Sequence, residues 1–541
     1  LCHLGKSNLK EFRLKKIAAV LLGLLPLAAQ APPGWDQQSP LGSDLPGEGF
    51  WHGAGIWAGD HHGPAPTLTD SLGLGNALIG EGFHLEGGYR KGPWDLAAEV
   101  LGNRNTLGQS YLTLYRSHIW YRGERGWQGG FEQEPMVWGY GLNGGYTLGE
   151  AARPFPRLRI QSPMADLHFF RMPLGTWGWQ AFMGRLENHP VLSSSMSNLS
   201  YSERIIAEQG NPEAPFINGY RIQATFGQHA EWYLNLVDLW GGTRNGQAMT
   251  NGYNLGQYVT SMLGIKDALN EAGSDYSNPS VKAPTTLSVN AQSASEIDTG
   301  FRLQAPGLAR AVGADTWYLY LSHASKSALW PVKVFLNRPF YYGAKDFKLD
   351  MDDLVLKPNY GAWWTTSSRY TLPSLNQAND TVGIQVSWPR VRAGLEYYAC
   401  VDDGANDGGG FRPFTHGTYV TGFYYYGDPL GNALGGEVIA TTAKVEVDYT
   451  SRLAGATTLT RGFRPFRDNL ADWQQDHPGD TPGKDRFTSL QQTLAWRQSA
   501  RTTLGLGAAW QREQAVLNVT GVSSNGFAWF ADMTFRWPVR S

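Results

Sequence analysis

The chain has 541 residues and a formal charge of −2, with 45 basic against 47 acidic side chains. Only 17% of its residues are charged, against roughly 25% in ordinary soluble domains, while glycine (66 residues) and aromatic residues (13%, including 21 Trp) are abundant. The near-neutral balance argues against a nucleic-acid partner, which would call for a basic face. The 42% hydrophobic content argues against disorder, and a mean hydropathy of −0.35 argues against a bundle of membrane helices. What remains is β-structure with one face turned to lipid.

Residues 10–16 (KEFRLKK) are basic, residues 17–29 (IAAVLLGLLPLAA) are mostly apolar, and Ala29-Gln30-Ala31 is a small-x-small cleavage pattern. Residues 1–31 therefore read as a secretory signal peptide cut after Ala31. The apolar run is too short to be an anchor, since a membrane helix needs about 20 residues. Residues 32–46, rich in Pro and Gly, read as an extended lead-in. Residues 47–541 hold no later run of 18 apolar residues. A membrane-embedded mature chain must then be a closed barrel, because only helices and closed barrels satisfy every backbone group in hydrocarbon.

The strand signal recurs along the chain. Residues 111–121 and 127–136 predict a hairpin around Gly123-Glu124-Arg125-Gly126. Trp232, Leu234 and Leu236 alternate with Glu231, Tyr233 and Asn235, and Trp317, Leu319 and Leu321 with Tyr318, Tyr320 and Ser322. Leu490, Leu494 and Trp496 predict a strand that turns at 499–501 into Leu504, Leu506, Ala508 and Trp510. The last segment is clearest: Phe527, Trp529, Ala531, Met533, Phe535 and Trp537 occupy one face and Ala528, Phe530, Asp532, Thr534 and Arg536 the other. A period of two with unlike faces marks a strand between two environments. Such segments number about 18 to 20, as in the large membrane barrels. The fold expected is all-β, a transmembrane antiparallel outer-membrane barrel of about 18 strands. Residues 241–297 break the pattern as a long loop insertion, in which Leu255, Tyr258, Val259, Met262, Leu263 and Leu269 fall near helical spacing.

Motifs of chemistry are sparse. Cys2 falls in the leader, which leaves Cys400 without an internal disulfide partner. Neither a G-x-S-x-G elbow nor an H-E-x-x-H helix occurs. Gly479-Asp480-Thr481-Pro482-Gly483-Lys484 is one residue short of a phosphate loop and reads as a polar turn. Asp60-His61-His62 reads as a solvated loop and Asp350, Asp352 and Asp353 as a solvated charge cluster. No catalytic, cofactor or metal set is assigned. Trp363 and Trp364 are candidates for stacking on sugar rings, although barrels also place Trp at membrane interfaces.

Two blocks resemble the capsule-assembly Wzi family of outer-membrane proteins. The first is Val137-Trp138-Gly139-Tyr140-Gly141, followed by Ala152-Arg153-Pro154-Phe155-Pro156 and a strand over 157–161. It is similar to that family's Trp-Gly-Pro-Gly block and Ala-Arg-Pro-x-Pro element, with Tyr140 where proline is usual. The second runs from His416 through Tyr419, Gly422 and Tyr426-Gly427-Asp428-Pro429-Leu430-Gly431, with Asp428 where arginine is usual. The signature positions carried by the resemblance are Trp138, Gly139, Gly141, Arg153, Pro154, His416, Tyr419, Gly422, Tyr426 and Gly427, in a structural or a ligand-related role. The resemblance implies a non-catalytic 18-stranded barrel in the bacterial outer membrane that binds capsular polysaccharide or exopolysaccharide and helps assemble or retain it. The partners expected are surface polysaccharide, outer-membrane lipid and the barrel insertion machinery, with no cofactor. The alternatives are a passive porin and a barrel enzyme acting on lipid or glycan.

Overall fold

The computed structural model describes residues 48–62, 80–104, 110–149, 152–169, 172–187, 213–227, 229–244, 293–325, 379–400, 428–436, 438–464, 485–499, 501–515 and 521–538, with a few short pieces between them. One antiparallel sheet rolls into a closed barrel. Its wall strands are β1 (Gly49–His62), β2 (Gly80–Lys91), β3 (Trp94–Arg104), β4 (Ser110–Arg122) and β5 (Gln128–Gln133). Next comes β6, in two pieces (Arg157–Gln161 and Ala165–Phe169) that both pair with β7 (Met172–Arg185). The wall continues as β8 (Phe216–Phe226), β9 (Ala230–Trp240), β10 (Ser293–Gln304), β11 (Thr316–Ser325), β12 (Asn379–Trp388) and β13 (Val391–Cys400). It ends as β14 (Val438–Asp448), β15 (Leu453–Arg464), β16 (Asp485–Arg497), β17 (Thr502–Gln514) and β18 (Ser523–Pro538). Each strand pairs with its neighbours in sequence, and β18 pairs with β1 from Trp51↔Pro538 to His62↔Phe527. That last pairing joins the two ends of the sheet, whose free edges would otherwise present unpaired N–H and C=O groups to lipid.

The alternation expected from the sequence sets the two faces. In β18, Phe527, Trp529 and Trp537 are exposed on the outside, while Ala528, Phe530, Asp532 and Thr534 are buried inside. In β16 and β17, Leu490, Trp496, Leu506 and Trp510 face outward. In β9 the inward residues are Tyr233, Asn235 and Val237, all fully buried. The outer face also carries Phe83, Leu85, Leu112, Leu114 and Ile119, all exposed. Soluble monomers rarely expose a continuous apolar patch beyond a few hundred Å², so this band belongs against hydrocarbon.

The two ends of the barrel differ. One end holds the tight turns, including Gly92-Pro93 and Pro389-Arg390, both termini of the wall, and a short helix, α1 (Pro306–Ala311). Trp94, Tyr121, Trp127, Tyr449, Trp496 and Trp537 are exposed around this end. They form the aromatic girdle that marks a membrane–water interface in such barrels. At the other end lie the strand ends that flank the long connections, among them 186–215, 241–292 and 326–378.

Some local expectations are corrected. The 127–136 strand ends at Gln133, and Glu134 onward leaves the wall. Asp60-His61-His62 closes β1 instead of forming a loop, because its backbone still pairs with Trp529, Ala528 and Phe527. β10 begins at Ser293, inside the range expected for the 241–297 insertion. Of the helix expected there, Leu255 and Val259 are described, both in helical conformation and exposed. Residues 1–31 lie outside the described residues.

The lipid-facing band yields a direct test. Leu459 lies at the middle of β15 and is 46% exposed, so Leu459→Arg should destabilise the barrel by about 2–4 kcal/mol in vesicles. The same replacement at Tyr449, in the girdle, should cost about 0–1 kcal/mol. Denaturant unfolding followed by Trp fluorescence measures both.

Candidate functional site: a loop folded across the lumen

Residues 134–149 turn into the barrel instead of rising above it. The departure point is held by charge. The Glu134 carboxylate accepts from Arg116 Nε at 2.9 Å and lies 2.6 Å from His118 Nδ1, while its backbone oxygen accepts from Arg157 at 2.7 Å. The same Arg157 donates to Glu132 Oε1 at 2.7 Å, tying the loop's exit to the strand that receives the chain on its return. Burial of paired charges demands this completeness, since removing one partner of a buried pair costs about 3–5 kcal/mol.

Beyond Val137 the loop is a side-chain-filled turn. Trp138 is fully buried, donates its indole N–H to Gln180 Oε1 on β7 at 2.7 Å and packs its ring on Phe182. Its backbone N–H meets Leu148 O at 3.0 Å, which closes the turn on itself. Gly139 has φ +138°, and a Cβ there would stand 2.9 Å from Gly145 Cα, so only glycine lets the two arms of the turn touch. Tyr140 lies edge-on to Tyr233 of β9 under the Arg302 guanidinium of β10.

The tip reaches the far wall. On β13, Glu396 accepts from the Leu142 backbone N–H, from Asn143 Nδ2 at 2.9 Å and from the Tyr320 hydroxyl of β11 at 2.8 Å. Asn143 Nδ2 also donates to Thr442 Oγ1 on β14 at 3.0 Å. From β5 to β14 is nine strands round an 18-strand ring, so the loop spans the lumen. Tyr146 then donates to Cys400 Sγ at 3.0 Å and packs near the Tyr398 ring. Burial pushes the Tyr146 hydroxyl pKa well above its ordinary value, which keeps that proton on the donor.

A second inward segment meets the first. Tyr424–Tyr425 pairs with Asp428–Pro429 in a small hairpin, and Tyr425 packs edge-on against Phe155. Gly149 N–H donates to Leu430 O at 2.6 Å and Ala433 N–H to Asn143 O at 2.9 Å. The turn between the two parts of the first resemblance block is thus joined by backbone hydrogen bonds to Leu430 of the second block and to Ala433 just beyond it.

The signature positions fall as follows. Trp138, Gly139 and Gly141 lie in the turn across the lumen; Arg153, half-buried, and Pro154, buried, lie on its way back to β6. His416, Tyr419, Gly422, Tyr426, Gly427, Trp363 and Trp364 lie outside the described residues. Sequence reasoning missed the inward course of 134–149 and its anchor, Glu396. The available signal was a carboxylate at an inward position of a strand, flanked by Leu395, Tyr397 and Tyr398.

A polar wall lines the lumen over β2 to β6. Trp120 donates to Glu132 Oε2 at 2.8 Å, Arg159 lies 3.0 Å from the same oxygen, and Arg90, Arg122 and His118 surround Asp95. These groups are paired with one another, and the lattice fixes the geometry of that part of the wall.

No family model and no curated protein matches the chain. Solved structures do. Wzi of Escherichia coli, an outer-membrane protein involved in group 1 capsule assembly and a carbohydrate-binding β-barrel, is 14% identical with a TM-score of 0.53, over 91% of this chain and 85% of its own. The Pseudomonas aeruginosa barrels OccD3 (OpdP) and OprD are 10% and 8% identical with TM-scores of 0.42 and 0.39, over 95% of this chain and 97% and 98% of their own. At these identities the likeness concerns the fold: a closed 18-strand barrel of outer-membrane type.

The anchor of the inward loop can be tested. Glu396→Ala leaves the Leu142 N–H, Asn143 amide and Tyr320 hydroxyl without their common acceptor. It should lower the unfolding free energy by about 3 kcal/mol, read by denaturant titration in detergent.

Proposed function

We propose that the chain is a non-catalytic bacterial outer-membrane protein that binds capsular polysaccharide or exopolysaccharide and helps assemble or retain it at the cell surface. The observation that carries this reading is the joined pair of segments across the lumen. They are built from the two sequence blocks that resemble the Wzi family, and Wzi itself is a carbohydrate-binding barrel with a role in capsule assembly. A lumen crossed from β5 to β14 by bonded side chains favours a surface role over bulk passage of solutes.

In this reading the tight-turn end faces the periplasm and the long connections face outward, as is usual for such barrels. The connections are the place for glycan contacts, since loops on a rigid scaffold carry binding residues. Trp363 and Trp364, within the 326–378 connection, supply flat aromatic faces for sugar rings. Each contact is weak, and repetition along a polymer held by many barrels provides the strength. The signal peptide delivers the chain, the aromatic β18 presents it to the insertion machinery, and lipid covers the outer band.

Deleting the gene in a producing strain should leave polysaccharide synthesis intact and shift polymer from cells to medium. Cells that retain polymer unchanged would overturn the proposal. Trp363→Ala with Trp364→Ala should lower cell-bound polymer while the barrel still folds. Purified protein in a planar bilayer should conduct little, and steady open conductance would favour the porin reading instead.

A further inference from the structure

We propose that His84, Glu86 and Glu99 form a binding site for a divalent first-row transition metal in the lumen wall beside the β1–β18 seam. His84 and Glu86 sit two apart on β2, on the same inward face, and Glu99 of β3 is the direct cross-strand partner of Glu86. One ligand atom from each lies within 4.8 Å of the others. His84 is fully buried, and Glu99 is 2% exposed.

Three observations point to an ion. First, His84 Nδ1 lies 3.1 Å from Glu99 Oε1. Two donors bound to one ion at about 2.0–2.1 Å stand at about this separation. Second, the contact is not a well-formed hydrogen bond: His84 Nδ1 and Glu99 Oε2 are both buried without a hydrogen-bond partner. In the tautomer whose Nε2–H points at Thr534 Oγ1, 3.3 Å away, Nδ1 would present a lone pair toward a carboxylate, an arrangement that repels unless a cation lies between. Third, the surroundings have the form of the outer shell of a metal site, in which the far nitrogen of a ligating imidazole and the ligating carboxylate are each held by a neighbour. Thr534 holds His84, and Arg536 grips both oxygens of Glu86, Nη2 to Oε2 at 3.2 Å.

The space for this arrangement comes from β1. Gly53 pairs with Glu86 on one side and Arg536 on the other, and Gly55 likewise with His84 and Thr534. A Cβ at either glycine would collide with the side chain of Glu86 or His84. The β2 side chains therefore lie across β1 and reach β18. One nitrogen and carboxylate oxygens, with no sulfur, suit zinc, manganese or iron(II) better than copper(I). The ion would join β2 to β3 and, through Thr534 and Arg536, to β18.

The test uses the detergent-purified chain, stripped with chelator, exposed to zinc chloride and desalted. Retained zinc should be a single equivalent, and the cobalt(II) form should show visible d–d absorption. Glu99→Gln and His84→Asn should lose both signals while keeping the heat-modifiable gel mobility of a folded barrel. Thr534→Val, which removes only the support for the imidazole, should weaken zinc binding about 10- to 100-fold. X-ray absorption of zinc in the unmodified chain should show imidazole nitrogen and oxygen with no sulfur, a reading that needs no variant. No zinc retained by the unmodified chain, or zinc retained equally by Glu99→Gln, would overturn the proposal.

Discussion

In hydrocarbon a backbone N–H or C=O finds no water, so every one in the spanning region must find another backbone group. This chain meets that demand with the Trp51↔Pro538 to His62↔Phe527 ladder between first and last strands. Once the ring is closed, the pleat does the rest. Alternate side chains point out or in, and the composition divides accordingly: Leu506, Trp510 and Trp529 outside, Asp532, Thr534 and Gln511 inside. The low charge and high aromatic content of the whole chain follow from having so much of its surface turned to lipid.

The interior obeys a second rule. Buried polar groups must be paired, and a barrel this wide cannot fill its lumen from the wall alone. The chain solves this by returning its own loop. Glu134 and Arg157 turn the backbone inward, Trp138 and Tyr146 fill space with rings, and Glu396 receives the tip. The polar lattice of β2 to β6 and the aromatic turn are two solutions to one problem, side by side, meeting at Glu134.

The barrel was legible because period-two alternation is local: Phe527 to Trp537 alone reveals two environments. The hairpin around Gly123–Gly126 was legible for the same reason, and the turn forms there through Gly123 N–H to Trp127 O at 2.7 Å. The inward course of 134–149 was not legible, because a loop's direction is decided by partners far along the chain. Leu142 meets Glu396 across 254 positions, and Gly149 meets Leu430 across a similar distance. The resemblance blocks gave no sign that the two segments would touch. His84, Glu86 and Glu99 escaped notice because a histidine and a glutamate two apart on a strand are ordinary; only register brings Glu99 opposite.

Gly53 and Gly55 carry a consequence for assembly. Joining the two ends of the sheet is the step that completes the cylinder, and a slip of one position there would turn every β18 side chain to the wrong face. A slip of two keeps the faces and would go unpunished by hydrophobicity alone. It would, however, move Arg536 about 6.8 Å from Glu86, and Thr534 equally far from His84. Because the glycines let a third strand reach over the joint, the seam favours one alignment: a mis-set closure would leave the buried Glu86 carboxylate without Arg536.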